Sequence, residues 1–200
     1  TYTGNAEAGA TYGWSFAGTE IDRVALRWAQ KNVAAHPSVA GLIECRAQLS
    51  PADSLRGAIL PGERFDLTMC NPPFHASSAA AAAGTRLKQR NLGGPQSAKP
   101  VLNFGGQAGE LWCPGGELAF VRRMINQSTA FARQCRWFTT LVSKSAHLPP
   151  LEAALCATQA TDVKIIAMAQ GQKQSRILAW TFLGDLRAVR VKPDRPKSAG

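Results

Sequence analysis

The chain has no long hydrophobic run, no CxxC pair and only three histidines, and each shortage removes a class of function. No apolar stretch approaches the ~18–20 residues that a membrane-spanning helix needs. The five cysteines (45, 70, 113, 135 and 156) are odd in number and stand far apart. They support neither a zinc site nor a disulfide framework, so reduced thiols in a cytoplasmic protein are expected. His36, His75 and His147 are scattered and form no ligand cluster, so no metal is expected. There is no Ser-His-Asp order and no GxGxxG; Gly105-Gly106 and Gly115-Gly116 are only pairs. No internal repeat and no signal peptide is found. The chain opens at Thr1 without an initiator Met and enters structure almost at once, as a fragment would.

Acids are short in one half only. Residues 1–83 hold 6 Lys/Arg and 7 Asp/Glu, whereas residues 84–200 hold 17 and 6. The net charge of +10 therefore sits in the second half, which suits a polyanionic partner. The competing reading is a solvated basic face. Two hundred residues with 45% hydrophobic content suit one globular domain, here bounded at 1–191 with a frayed tail over 192–200.

Strand and helix patterns alternate. "WSFAGTEID" reads as a strand from Trp14 to about Thr19, followed by a helix capped by Asp22. Ala25, Ala29 and Val33 share a face of that helix, and Pro37 stops it. "LIECR" (42–46) and "RFDLTMC" (64–70) are strands, the second closed by two prolines that cannot donate to a ladder. A helix over "GGELAFVRRMINQSTAF" should place Phe120, Met124, Ser128 and Phe131 near one face. "RWFTTLVSK" is a strand and "PPLEAALCAT" a helix with prolines at its start. "VKIIAMAQ" and "RILAWTFL" should pair antiparallel around the turn Gly171–Ser175. This order argues for an α/β fold with a parallel doubly wound sheet and a terminal antiparallel hairpin. Ligands of such sheets bind beyond the carboxyl ends of the strands. The long segment 84–105 reads as a basic loop, and loops of that length in compact domains are usually functional or disordered.

Two places obey the carboxyl-end rule. Glu20 and Asp22 follow the first strand, where an acid pairs with ribose hydroxyls in nucleotide-binding sheets. Asp22 reads as the helix cap and Glu20 as the ribose ligand. The other place is "NPPF", Asn71 to Phe74. The Asn71 side-chain carbonyl and the Pro72 carbonyl can each accept one N–H bond of an exocyclic amine. Pro72 and Pro73 hold these acceptors rigid, and Phe74 offers a ring for a flat base. The plain alternative is a strand-ending Asn-Pro turn. His75 stands beside the motif as a candidate base.

"NPPF" resembles the fourth motif of amino-directed, S-adenosylmethionine-dependent methyltransferases. The wider set "MCNPPFHAS", "LNFGGQAGELWCPGGELAFVRRMINQS", "RWFTTLVSK", "PLEAAL" and "GQKQSRILAWTF" resembles the bacterial large-subunit rRNA adenine-N6 methyltransferase family (RlmF-like), which is related to eukaryotic enzymes acting on U6 small nuclear RNA. The resemblance runs from about Tyr12 to Leu183. It implies a class I (Rossmann-like) methyltransferase fold, S-adenosyl-L-methionine as cofactor, and methyl transfer to N6 of one adenosine in large-subunit rRNA. It places Asn71, Pro72, Pro73 and Phe74 at the catalytic motif and Glu20 at the ribose acid. Asp22 is a further cofactor candidate, and Gln48 and Ser50 fall near the adenine-side contacts. Substrate contacts are assigned to Phe74, to Arg86, Lys88 and Arg90 of the basic loop, and to Lys144 after "RWFTTLVSK". The family's glycine-rich first motif should precede residue 14, and "TYTGNAEAGA" does not supply it; the first strand and helix are therefore expected to be missing from these residues. A monomer acting without a membrane is expected. The rivals are a protein glutamine-N5 methyltransferase, which usually carries Tyr where Phe74 stands, a DNA adenine methyltransferase, which the GGEL block disfavours, and a catalytically silent RNA-binding module that has lost its cofactor motif.

Overall fold

A computed structural model describes residues 13–77, 79, 112–170 and 173–184. The basic loop with Arg86, Lys88, Arg90 and Lys99, the opening decapeptide and the tail from Lys192 lie outside the described residues.

The chain begins with a β-α-β unit. Strand β1 (Phe16–Glu20) is followed by helix α1 (Arg23–Ala34) and strand β2 (Ile43–Ala47). β1 and β2 pair in parallel from Phe16↔Ile43 to Glu20↔Ala47. Parallel neighbours need a crossover, and α1 supplies it. Asp22 caps α1 as its pattern predicts, accepting the Ala25 amide at 2.7 Å. The strand starts and ends slightly later than predicted. Glu20 is thereby its last residue, with its backbone carbonyl bonded to the Gln48 amide at 2.8 Å.

The second sheet has four strands in the order β3-β4-β6-β5. β3 (Phe65–Leu67) and β4 (Cys135–Val142) are parallel, while β6 (Lys173–Thr181) runs antiparallel to both β4 and β5 (Asp162–Gln170). Gln170 pairs with Lys173, so the ladder reaches into the segment Gly171–Ser175 that the sequence pattern assigns to the turn. The sequence pattern implies one continuous sheet; among the described residues the parallel pair β1-β2 and the four-stranded sheet are separate.

Helices α2 (Gly116–Ser128) and α3 (Leu148–Ala157) contribute to the core against this second sheet. β4 buries Cys135, Phe138, Thr140 and Val142, the last three at the strand period of two. Its Phe138 stacks on Trp180 of β6 with ring centroids 5.8 Å apart. The buried stripe of α2 is Glu117, Val121, Met124, Ile125 and Ser128, while Phe120 and Phe131 are only partly covered. Ser128 belongs on that face because it is satisfied there. Its hydroxyl donates to the Ile125 carbonyl at 2.6 Å and accepts the Trp180 indole N–H at 2.9 Å.

Candidate active site

The strand predicted over 64–70 is regular only to Leu67, because side chains enter the ladder next. Thr68 Oγ1 accepts the Thr139 amide at 3.1 Å, and Thr139 Oγ1 donates to the Thr68 carbonyl at 2.5 Å. Cys70 then rejoins β4: its carbonyl accepts the Leu141 amide at 2.9 Å. One residue later the chain leaves the sheet as Asn71-Pro72-Pro73-Phe74. Pro72 and Pro73 are buried, Asn71 is exposed and Phe74 half-buried. The sequence places this rigid motif at a strand's carboxyl end, and the structure adds that its prolines are buried and its amide faces solvent.

The segment after Phe74 is held from behind. The His75 carbonyl accepts the Cys113 amide at 3.0 Å, in a parallel bridge between His75 and Trp112. Gly115 and Gly116 begin α2 with φ of +77° and +62°, values that favour glycine. A Cβ on Gly116 would lie 3.2 Å from the Ala76 amide nitrogen, and one on Gly115 would lie 2.5 Å from the Ala119 Cβ. The double glycine therefore lets α2 start directly against the chain that leaves the motif.

Glu117, the next residue, was not singled out by sequence reasoning. It is 1% exposed and uses both carboxylate oxygens. Oε2 accepts from the Ser143 amide at 2.9 Å and from the Ser143 hydroxyl; Oε1 pairs with His147 Nδ1 at 2.7 Å. A buried carboxylate is costly unless paired in this way. The signal available was an acid directly after two glycines and ahead of an apolar stripe, which also fits an ordinary first-turn acid favoured by the helix dipole. Lys144 follows Ser143 and is exposed.

The predicted cofactor residues form a second cluster. Glu20 Oε1 accepts the Asp22 amide at 2.9 Å. Oδ1 of the Asp22 carboxylate is engaged as the cap of α1, the role its position in the sequence predicts. Gln48 and Ser50 lie beside Glu20 through the Gln48–Glu20 backbone bond, but their side chains serve the loop itself. Gln48 Nε2 donates to the Arg56 carbonyl at 2.8 Å and its Oε1 accepts the Ser50 amide at 3.1 Å. Ser50 Oγ accepts the Ala52 amide at 3.3 Å. Gln127 ties this loop to α2: its Oε1 accepts from the Ser54 and Leu55 amides at 3.0 and 3.2 Å, and its Nε2 donates to the Ala52 carbonyl at 2.9 Å. Among the described residues no hydrogen bond joins the Glu20 cluster to the Asn71 cluster; Gln127 and Arg46 link their surroundings. Arg46 of β2 donates to both oxygens of Glu63, at 2.5 and 2.8 Å.

Burial pushes the Cys70 thiol up to about 11 and the Cys135 thiol up to about 12. Both stay protonated at neutral pH, so the cysteine adjoining Asn71 is no thiolate nucleophile. Among the described residues no cluster of three or more His, Cys, Asp or Glu could hold a metal ion, and no helix is long and apolar enough to cross a membrane.

The mixed α/β layers with the motif at a strand's carboxyl end define a class I methyltransferase-like fold. Residues 8–184 match the RNA methyltransferase family, and the chain belongs to it. It is 52% identical over 176 residues to the ribosomal RNA large subunit methyltransferase F of Salmonella paratyphi B, covering 87% of this chain and 56% of that protein. The chain thus spans little more than half the length of that relative. Among solved structures, the human METTL16 catalytic domain in complex with the MAT2A 3'UTR hairpin 1 is 29% identical with a TM-score of 0.66, over 90% of this chain and 60% of that one. The N-terminal domain of human METTL16 in complex with SAH shares the fold at 24% identity and a TM-score of 0.62, over 88% of this chain and 55% of that one.

Proposed function

We propose that this chain carries the target-amine site of an S-adenosylmethionine-dependent methyltransferase that modifies N6 of a specific adenosine in large-subunit rRNA. The observation that carries the reading is the Asn71–Phe74 turn, an exposed amide on two buried prolines at the carboxyl end of a parallel strand pair. Family membership and the name of the 52% identical relative support the substrate class.

The residue that ends β1 fits the ribose of the cofactor. Glu20 ends β1 with a carboxylate that donates nothing and accepts, as ribose hydroxyls require, and it already orders the turn through Asp22. The bound cofactor supplies a sulfonium-activated methyl group. Asn71 Oδ1 and the Pro72 carbonyl accept the two N–H bonds of the adenine amine, which points its lone pair along the line of transfer. Phe74 stacks on the base once it has left its helix or where it is already unpaired. No general base is needed before transfer, because the product ammonium is acidic enough to release its proton to water. The basic residues Arg86, Lys88, Arg90 and Lys144 contact phosphate. The enzyme acts as a cytoplasmic monomer on rRNA.

The experiment is single-turnover methylation of large-subunit rRNA with cofactor in excess, using the full-length protein. Asn71→Ala should abolish transfer while leaving the fold intact; alanine activity within about threefold of wild type would defeat the assignment, against the 10²-fold scale of lost positioning.

A further inference from the structure

Glu117 lies in the first turn of α2, yet its partners lie in the surface segment that follows β4. One carboxylate makes three bonds to that segment, two from Ser143 and one from His147. Between these two anchors stands Lys144, exposed, in extended conformation (φ −108°, ψ 123°), with its carbonyl closed onto the His147 amide at 3.0 Å. No ion pair joins Lys144 to an acid among the described residues. Its ammonium therefore remains available to an outside anion.

The segment adjoins the motif by sheet geometry. The Leu141 amide bonds the Cys70 carbonyl, and parallel strands advance in the same direction. Lys144 is three residues past Leu141, about 10 Å further along, on the side to which Asn71 emerges from Cys70. Gly116 meanwhile abuts the backbone of His75 and Ala76. The single turn Gly115-Gly116-Glu117 thus touches both the exit from the catalytic motif and the base of the Lys144 segment. The apolar stripe of Val121, Met124 and Ile125 builds the core of α2 without it.

We propose that Glu117 is a positioning residue for RNA: by holding Ser143 and His147 it fixes Lys144 beside the Asn71–Phe74 turn, where the ammonium meets a phosphate of the bound strand. This rests on the RNA-methyltransferase reading. It adds that a buried carboxylate, remote from the reacting atoms, sets where the phosphate next to the target base is gripped.

The test is a double-mutant cycle read as affinity of the full-length protein for transcribed large-subunit rRNA, with cofactor affinity and melting temperature measured alongside. Lys144→Gln alone should weaken RNA binding roughly fivefold and flatten the log–log salt slope by about 0.7–0.9, one phosphate contact. In a Glu117→Ala background the same substitution should cost less than about twofold, because the lysine is no longer held in place. Glu117→Gln should restore most of the Lys144 effect, since its amide oxygen still accepts from Ser143. Cofactor affinity should be unchanged throughout. Should Glu117→Ala fail to fold, His147→Ala carries the decision, since it breaks one anchor at a partly exposed side chain and leaves α2 whole. An equal cost of Lys144→Gln in anchored and unanchored backgrounds overturns the proposal, as does no cost in the wild type. Either result leaves the functional reading standing, which fails instead on active Asn71→Ala.

Discussion

The Leu141 amide donates to the Cys70 carbonyl at 2.9 Å, the last backbone bond between β4 and the chain before Asn71 turns out of the sheet. The position of Asn71 is thus set by a strand more than sixty residues later in sequence. Because Pro72 and Pro73 are buried behind it, Asn71 has little freedom to move relative to β4.

Substitutions in the motif should separate acceptance from stacking. Asn71→Asp should lose less activity than Asn71→Ala, since a carboxylate still accepts the amine, though its charge alters the pocket. Phe74→Trp should keep more activity than Phe74→Ala, because stacking is worth ~1–3 kcal/mol per base and tolerates another ring. Single-turnover rates decide it. Equal loss in both Phe74 variants would assign that ring to packing instead.

The two acids after β1 should fail in different assays. In the full-length protein, Glu20→Ala should weaken S-adenosylmethionine binding by ~1.5–3 kcal/mol, the range for a hydrogen bond involving a charged group, with RNA affinity unchanged. Asp22→Ala should instead cost ~0.5–2 kcal/mol of folding stability through loss of the α1 cap. Calorimetry with cofactor and urea unfolding of both variants give the comparison. A larger cofactor defect for Asp22→Ala than for Glu20→Ala would reverse these roles.

Acid should loosen the clasp between β2 and the segment ahead of β3. The hydrogen bond from Arg46 holds the Glu63 and Glu44 carboxyls below the usual carboxylate range, with the Leu60 amide adding to the effect at Glu63. A carboxyl lowered by folding contributes stability that is present above its unfolded pKa, about 4.3 for Glu, and lost as pH falls through its folded value. The wild-type melting temperature should therefore drop below about pH 4, and Arg46→Gln should flatten that acid limb. Superimposable acid limbs for the two proteins would show that the clasp contributes nothing.

The charge of the second half should appear as a salt effect. Replacing Arg86, Lys88 and Arg90 with Gln removes up to three phosphate contacts, so the log–log salt slope for RNA binding should flatten by roughly 2–3 while cofactor affinity holds. Binding across about 50–200 mM salt measures it. An unchanged slope would leave those residues as a solvating face only.

Much of this protein is legible from local order. Asp22 before an apolar period marks the start of α1, the β4 alternation of Phe138, Thr140 and Val142 marks a half-covered strand, and two prolines after an apolar run mark where the sheet must release the chain. These features follow from φ restriction, capping and side-chain period, which act over a few residues, so local order settles most of the elements and the rigidity of the Asn71–Phe74 turn, while the exposure of Asn71 came with the packing of its prolines. Partners far apart in the chain are another matter. That Glu117 would be buried with Ser143 and His147, that Gln127 would hold the loop at 52–55, and that β6 would lie between β4 and β5 depended on which surfaces met. A first-turn acid, a helical glutamine and an apolar strand each fit several arrangements, and only packing supplies the donors that make a buried carboxylate tolerable. Tertiary structure alone decided those, because the free energy of each polar group depends on neighbours brought together from distant parts of the chain.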